Sequence, residues 1–453
     1  MIPYIKTNIR HKVFKDKVFL TTDNGRYCSL TLDEWKDFKL EIIYDETKEK
    51  LHKAGLILDE NNFKEQIDIN KLKNDCIYSG TSLHIIVTTL RCNMSCLYCQ
   101  VGRKYKDKEG YDMDIETAKK TVDFIFQSPN DDITIEFQGG EPTLNLDVLK
   151  FIIKYAQDKN KLIKKNLEIT MVTNMTTMNE ALMNYFIDKG VDVCTSLDGN
   201  KEVHNHNRKY DEDNHKQVTY WIKRFNDEYI KRGLSNRMSA LVTLTNLSLK
   251  FYKEIINEYI SLGIEVIHLR NLTKLGFAKK SWDNISYTAD EYLEFWKKSV
   301  EHIEELKKKG ICINERMVLM MEEKIANDKE VNYMDLRNPC GAVIGQIAYN
   351  HEGDIYSCDE ARMMKNDIFK IGNVHKTKYI DAISCDKCKN ILDASILSQY
   401  KACDECIYFP YCGICPVLNY EESGSLITDI MNSDRCKILK YQYDWVVNKY
   451  FLK

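Results

Sequence analysis

The residues of this 453-residue chain best suited to chemistry are its 16 cysteines, because a thiolate is both a nucleophile and a soft metal ligand. Cys92, Cys96 and Cys99 are spaced with three and then two residues between them, and Cys340, Cys358, Cys385, Cys388, Cys403, Cys406, Cys412, Cys415 and Cys436 crowd the C-terminal part. Cys28, Cys76, Cys194 and Cys312 stand apart and read as small buried hydrophobes. No apolar run reaches the ~18 residues of a spanning helix, and the polar start is unlike a secretory signal, so the chain reads as cytoplasmic. In a reducing compartment clustered cysteines serve metals or catalysis rather than disulfides. The 65 basic and 68 acidic residues nearly cancel, to a net charge of -3, which argues against nucleic acid or an anionic membrane as partner. With 43% hydrophobic and 29% charged residues, the chain is also not a disordered one.

The elements that must position these cysteines follow a repeating pattern. Strands are expected at 83–90, 133–138, 167–173, 191–197, 237–245 and 264–270, separated by helical segments. One helix is expected over 114–127, with Asp114 as N-cap and Ile115, Ala118, Val122, Ile125 and Phe126 on one face. Six such units predict a parallel α/β sheet, doubly wound or closing toward a barrel. Before it, residues 1–80 read as a small α+β module: a hairpin turning at Asp23-Asn24-Gly25, then helices near 32–42 and 46–55. Helices near 288–309 and 314–329 follow the barrel. From about residue 335 regular periodicity is lost, giving the division 1–80, 81–334 and 335–453.

In parallel α/β sheets the site lies beyond the carboxyl ends of the strands. Strand one runs into the Cys92, Cys96, Cys99 loop with Tyr98, strand two into Gln138-Gly139-Gly140-Glu141-Pro142, strand three into Thr173-Asn174, strand four into Ser196-Leu197-Asp198-Gly199 and strand six into Arg270. A structural zinc site would want a fourth ligand near the three cysteines, and none is present in the sequence nearby. Three thiolates on a four-iron cluster instead leave one iron open to an amino and a carboxylate group, the requirement for reductive cleavage of S-adenosylmethionine. The glycine pair permits close backbone approach, and Glu141 can accept from a ligand ammonium; the alternative is a tight turn capped by a surface carboxylate.

C-x3-C-x2-C followed by GGEP and a later SLDG resembles the radical S-adenosylmethionine (radical SAM) superfamily over about residues 83–275. The resemblance implies a partial (β/α)6 barrel and a [4Fe-4S] cluster on Cys92, Cys96 and Cys99. It further implies a 5′-deoxyadenosyl radical and an external electron donor of flavodoxin or ferredoxin type. It puts Tyr98 beside the adenine and Gln138, Gly139, Gly140 and Glu141 near the methionine amine. Asn174, Ser196 and Arg270 become candidates for the ribose and carboxylate. Some relatives carry an arginine after strand four for that carboxylate, and the sequence alone does not place one here.

Residues 335–440 resemble the SPASM domain, the cysteine-rich, loop-dominated module that holds two auxiliary [4Fe-4S] clusters in peptide-modifying radical enzymes. By position, Cys403, Cys406, Cys412 and Cys436 would bind the distal cluster and Cys340, Cys358 and Cys415 the proximal one. Two departures stand out: Cys412 and Cys415 are separated by two residues where three are usual, and no cysteine lies between Tyr333 and Pro339. The proximal cluster then has an open iron, or takes a thiolate from Cys312, Cys385 or Cys388; Cys385-Asp-Lys-Cys388 could also be an independent metal knuckle. Paired C-x2-C knuckles suit zinc equally well, which keeps a zinc-stabilised binding protein as a competing reading.

The phrases Thr89-Leu90-Arg91-Cys92-Asn93, Cys99-Gln100-Val101, Glu136 to Pro142, Cys340-Gly341-Ala342 and Tyr411 to Val417 are most similar to the B-type maturase of His-Xaa-Ser peptide systems and related cyclophane-forming enzymes. That implies a ribosomal precursor peptide as partner, closed by a carbon–carbon or thioether bond, with residues 1–80 as its recognition module. Formylglycine formation, as in sulfatase maturases, is the neighbouring alternative. Asp359, directly after Cys358, matches a carboxylate such maturases use as a base; its bland alternative is a surface ion pair with Glu360 and Arg362 nearby.

Overall fold

The computed structural model describes residues 5–210, 213–364 and 366–452. The chain forms two compact units, one of Gly80–Arg316 with Ala342–Asn390, the other of Met1–Ser79, Met317–Gly341 and Ile391–Lys453. The cysteine-rich C-terminal part is therefore shared between them.

In the first unit, strands Leu83–Val87, Asp132–Gln138, Asn166–Thr173, Val191–Ser196, Ser239–Thr243 and Leu269–Arg270 pair in parallel and in chain order. A doubly wound sheet needs a point where strand order reverses, whereas six strands in chain order with right-handed crossovers keep their helices on one face. The arrangement is the partial barrel. Strand one is not an edge, because Gln346–Tyr349 pairs parallel to its outer side, followed by Asp354–Tyr356 and Lys370–Asn373 in antiparallel. These three short strands lie where the sequence shows no periodicity. Four residues or fewer per strand are too few to reveal alternation, although Ile347, Ala348 and Tyr349 are fully buried.

The helix Ile115–Ile125 starts at Asp114, whose carboxylate accepts from the Thr117 N–H at 2.7 Å. Ala118, Val122 and Ile125 are fully buried and Phe126 nearly so, but Ile115 at the first turn is exposed. The expected strand over 264–270 is broken: Val266–Ile267 pairs with Asn314–Glu315, and only Leu269–Arg270 joins the barrel. A turn in which Arg270 N–H donates to the His268 carbonyl separates the two pieces.

The N-terminal part of the second unit has three antiparallel strands, Arg10–Phe14, Lys17–Thr21 and Tyr27–Thr31, one more than the hairpin expected. Gly25 sits at φ +84° in the turn before the third strand, a conformation only glycine takes at no cost. Helices Leu32–Lys39 and Asp45–Lys53 follow as anticipated, closing over Val18, Leu20, Leu30, Leu51, Leu56 and Ile57, all with no exposed surface. A third helix, Phe63–Tyr78, escaped the sequence reading because it buries only Gln66 and Ile69 and leaves Phe63, Ile67 and Tyr78 exposed. No helix among the described residues is long and apolar enough to cross a membrane.

Candidate functional site

The cysteine loop leaves strand one and is clamped at its base. Arg91 donates to both Asp112 oxygens at 2.8 and 2.6 Å and to the Leu144 carbonyl at 2.8 Å, while the Thr89 hydroxyl donates to Asp112 at 2.6 Å. The glycine pair after strand two fits against this backbone. Gly140 N–H donates to the Thr89 carbonyl and Glu141 N–H to the Arg91 carbonyl. A Cβ at Gly139 would lie 2.4 Å from the Thr89 oxygen, and one at Gly140 2.0 Å from the Arg91 oxygen. The close approach that the two glycines permit is thus first of all to the cysteine loop, which they seat.

Glu141 is not a surface carboxylate. It is 1% exposed and accepts from Thr143 N–H and hydroxyl, from the Thr173 hydroxyl at 2.7 Å and from the Asn174 N–H at 2.8 Å, tying the ends of strands two and three together. Burial pushes its pKa up and these donors oppose that shift. The Asn174 amide donates in turn to Asn93 at 3.1 Å and lies 4.0 Å from the Cys92 sulfur.

Burial raises Cys92 to about 12 and Cys99 to about 11, and also raises Cys96, with the neighbouring thiols of the trio adding to the shifts of Cys92 and Cys99. The two-residue pairing of Ser95–Cys96 with Arg208–Lys209 brings a guanidinium to the same place, with Arg208 Nη1 at 3.9 Å from the Cys96 sulfur. Arg208 is almost fully buried and ion-paired at 3.3 Å with Asp198, which has no exposed surface and also accepts from the Tyr98 hydroxyl at 2.6 Å. The Arg208 cation stands 5.3 Å from the Tyr98 ring centre, and the carboxylate partner keeps it firmly charged against burial. Behind Asp198, its N–H donates to His204 Nδ1, and His204 Nε2 faces the Asn214 side-chain oxygen at 2.8 Å. Burial lowers this imidazole to about 4, so it is neutral.

These strand ends surround an open cavity of about 230 Å³. Cys92, Cys96, Tyr98, Cys99, Gln138, Gly139, Gly140, Glu141, Asn174, Ser196, Arg270 and Asp359 all line it. Sequence reasoning missed Arg208 and Arg103, which line it too. Arg208 sits at the end of the short helix Lys201–Asn207, in a run of histidines and asparagines with no periodic signal, so only its place after strand four could have marked it. Asp359 is ion-paired with Arg362 at 2.6 Å, and Arg362 also donates to Gln138 at 2.8 Å. The alternative of a surface ion pair is met in its pairing and not in its exposure: the Arg362 side chain is only 4% exposed, and Glu360 faces Arg270 at 3.3 Å.

In the second unit Cys403, Cys406, Cys412, Cys415 and Cys436 line a small apolar-walled cavity of about 50 Å³ with Leu397, Tyr408, Ile414, Leu439 and Tyr443. Burial and the neighbouring thiols raise Cys403 to about 11 and Cys412 to about 12. Cys340 belongs to the same unit, its N–H donating to the Ser395 hydroxyl at 2.9 Å. Cys358 belongs to the barrel unit, where it caps the helix Asp359–Met363 by accepting from the Ala361 N–H. Cys312 is exposed. Among the described residues, no three His, Cys, Asp or Glu side chains stand close enough to hold a single metal ion.

Comparison with known proteins gives this geometry a family context. Residues 86–246, which include most of the barrel strands, match the family model of the Radical SAM superfamily. An uncharacterized protein of Methanocaldococcus jannaschii is 30% identical over 183 residues, 40% of this chain and 60% of that protein. This chain thus spans less than two thirds of that relative. A cysteine-type anaerobic sulfatase-maturating enzyme of Clostridium novyi is 23% identical over 361 residues, 73% of this chain and 86% of that one. Among solved structures, native anSMEcpe with bound AdoMet has a TM-score of 0.68 at 19% identity, covering 82% of this chain and 97% of that chain. Streptococcus suis SuiB bound to its precursor peptide SuiA has a TM-score of 0.58 at 13% identity, covering 94% and 99%. These two likenesses establish the fold.

Proposed function

We propose that this protein is a radical SAM maturase, cytoplasmic, that modifies a ribosomally synthesised precursor peptide, abstracting a side-chain hydrogen and closing a carbon–carbon or thioether crosslink. The observation that carries the reading is the convergence, on one cavity, of the three loop cysteines with residues from the ends of successive barrel strands. The peptide substrate is supported by the relatives, one named as a sulfatase-maturating enzyme and one solved with a precursor peptide.

The donor set fits the expected group: three thiols crowd one loop beside a cation, with no fourth cysteine among the described residues that line the cavity. Cys92, Cys96 and Cys99 would hold the [4Fe-4S] cluster. Bound there with S-adenosylmethionine and reduced by an external donor of flavodoxin or ferredoxin type, it would supply a hydrogen-abstracting 5′-deoxyadenosyl radical. Tyr98 would flank the adenine, and the backbone of Gln138, Gly139 and Gly140 with Glu141 would face the methionine amine. Arg208, which the sequence alone did not place, would meet the carboxylate, with Asn174, Ser196 and Arg270 around the ribose. Asp359, oriented by Arg362, would take the proton the substrate loses as the new bond forms. Cys403, Cys406, Cys412 and Cys436 would hold one auxiliary [4Fe-4S] cluster, and Cys340 and Cys415 of the same unit would give thiolates to a second.

Residues 1–80 would recognise the leader of the precursor by strand addition. In support, Tyr27–Thr31 is an edge strand and lines a cavity with Lys17, Arg26, Lys50 and Lys53. The likeness to sulfatase maturases favours formylglycine formation as the second reading. Mass spectrometry of the product separates the two: a crosslink removes two hydrogens, and conversion of cysteine to formylglycine also removes sulfur.

The test of the reading itself is replacement of Cys92, Cys96 and Cys99 together by Ala. We expect loss of 5′-deoxyadenosine production with iron retained elsewhere in the chain; continued production in the triple variant would refute the assignment.

A further inference from the structure

One motif has no part in the function proposed above. Cys385 directly precedes the helix Asp386–Asp393 and Cys388 lies in its first turn, within the barrel unit. Their sulfurs are 3.4 Å apart, the Cys385 thiol donating toward Cys388. Cys388 has no exposed surface and its thiol donates to the Ala382 carbonyl at 3.0 Å, whereas Cys385 is partly exposed. The turn carrying both is fixed: Cys388 and Lys389 N–H groups donate to the Cys385 carbonyl, and Lys387 Nζ donates to the carbonyls of Asp367 and Lys370.

We propose that Cys385 and Cys388 form a thiol–disulfide exchange site, distinct from the cysteine-loop cavity, that takes low-molecular-weight disulfides as oxidant. The two cysteines have unequal roles that follow from their surroundings. Cys385 is partly exposed and reachable by a dissolved disulfide, so it attacks. Cys388 is inside, where burial keeps it a thiol, and already touches the sulfur it must join, so it resolves. In the first step Cys385 displaces one thiol from the disulfide RSSR and forms a mixed disulfide. In the second, Cys388 attacks the Cys385 sulfur, the bond to R breaks and the second RSH leaves with a proton. The balance is two protein thiols and one RSSR giving one intramolecular disulfide and two RSH.

This geometry also bears on the metal roles open to the pair. The Cys388 thiol is engaged with the Ala382 carbonyl and the Cys385 sulfur, and a dithiol accounts for both contacts.

The test uses the anaerobically purified, cluster-loaded protein, poised in mixtures of reduced and oxidised glutathione, alkylated with iodoacetamide and digested with trypsin. Cleavage after Lys378, Lys387 and Lys389 puts the two cysteines on separate peptides, 379–387 and 388–389. We expect these to be recovered joined, two hydrogens lighter than the separate thiol peptides, in a share that rises with oxidised glutathione and reverses on reduction. In Cys388→Ser, Cys385 should instead be trapped as the glutathione mixed disulfide, with iron content unchanged. Independent alkylation of the two cysteines at every ratio would overturn the proposal, as would loss of iron from Cys385→Ser or Cys388→Ser, which would make the thiolates cluster ligands.

Discussion

Replacing Asp198 by Asn tests the charge arrangement beneath the cavity. The Asp198 carboxylate joins three segments: it accepts from the Tyr98 hydroxyl of the cysteine loop at 2.6 Å and from the Thr243 N–H at the end of strand five at 3.3 Å, and it pairs with Arg208 at 3.3 Å. Asn preserves size but withdraws the charge and turns one acceptor into a donor, leaving a nearly buried guanidinium without a counter-ion. Breaking a buried pair from one side costs about 3–5 kcal/mol, because the remaining charge is uncompensated. At about 2–4 °C per kcal/mol for a unit of this size, the unfolding midpoint of the barrel should fall by about 6–20 °C. Adding Arg208→Met removes the stranded charge, so the double variant should be more stable than the sum of the single effects predicts, by about 1–3 kcal/mol. Thermal unfolding of the four anaerobic proteins, followed by circular dichroism, completes the cycle. An Asp198→Asn midpoint within about 2 °C of the parent, which corresponds to less than about 1 kcal/mol, would refute the reasoning, as would strict additivity.

Gly140→Ala should lower iron bound by the cysteine loop and cut 5′-deoxyadenosine formation at least about tenfold, since its Cβ would meet the Arg91 carbonyl, a backbone atom that no side-chain rotation can clear. Gly102→Ala, which meets nothing within 4 Å, is the control and should behave as the parent. Asp359→Asn should leave 5′-deoxyadenosine formation near normal while reducing modified peptide by about 10²-fold or more; parental product yield would show that the proton leaves by another route. Acid should destabilise the barrel through His84, which is fully buried against the Tyr349 hydroxyl and held down to about 3 by that burial. Its stabilising effect is complete above the free imidazole value of about 6.5 and is lost as pH falls from there toward 3. At about pH 4.5 the loss is about 2–3 kcal/mol, and urea unfolding of His84→Gln should show a shallower acid slope than the parent.

How much of this was legible in the sequence depends on what each residue's role requires. The strand ends could be read because parallel strands are buried on alternating positions, as in Ile133, Ile135 and Phe137, and because the ends of such strands are where α/β sites form. The cavity-lining residues followed from that placement. Arg208 could not be read the same way: it reaches the cysteine loop through a two-residue pairing with Ser95–Cys96, a tertiary contact that leaves no trace in local pattern. The same holds for the division of the C-terminal cysteines, since the pairing of Gln346–Tyr349 with strand one draws residues 342–390 into the barrel unit over a separation of more than two hundred residues. Helix Phe63–Tyr78 was invisible for the opposite reason, having almost no buried face to create a period.

The GGEP motif shows how a string that reads as a tight turn can also position a neighbouring loop. Taken alone, two glycines and a glutamate describe a tight turn with a carboxylate cap, and that is what Glu141 does toward Thr143, Thr173 and Asn174. Yet the turn exists to let the backbone of residues 139–141 lie against that of residues 89–91, immediately before Cys92, at a distance no other residue type allows. A structural role for these glycines is therefore the physical means of the functional one, since whatever fixes the Arg91 carbonyl fixes where the three thiols stand. Substitutions there should act first on the position of the loop and only through it on chemistry. Iron content and 5′-deoxyadenosine yield should accordingly fall together at Gly140, whereas at Asp359, which takes no part in seating the loop, product should fall alone.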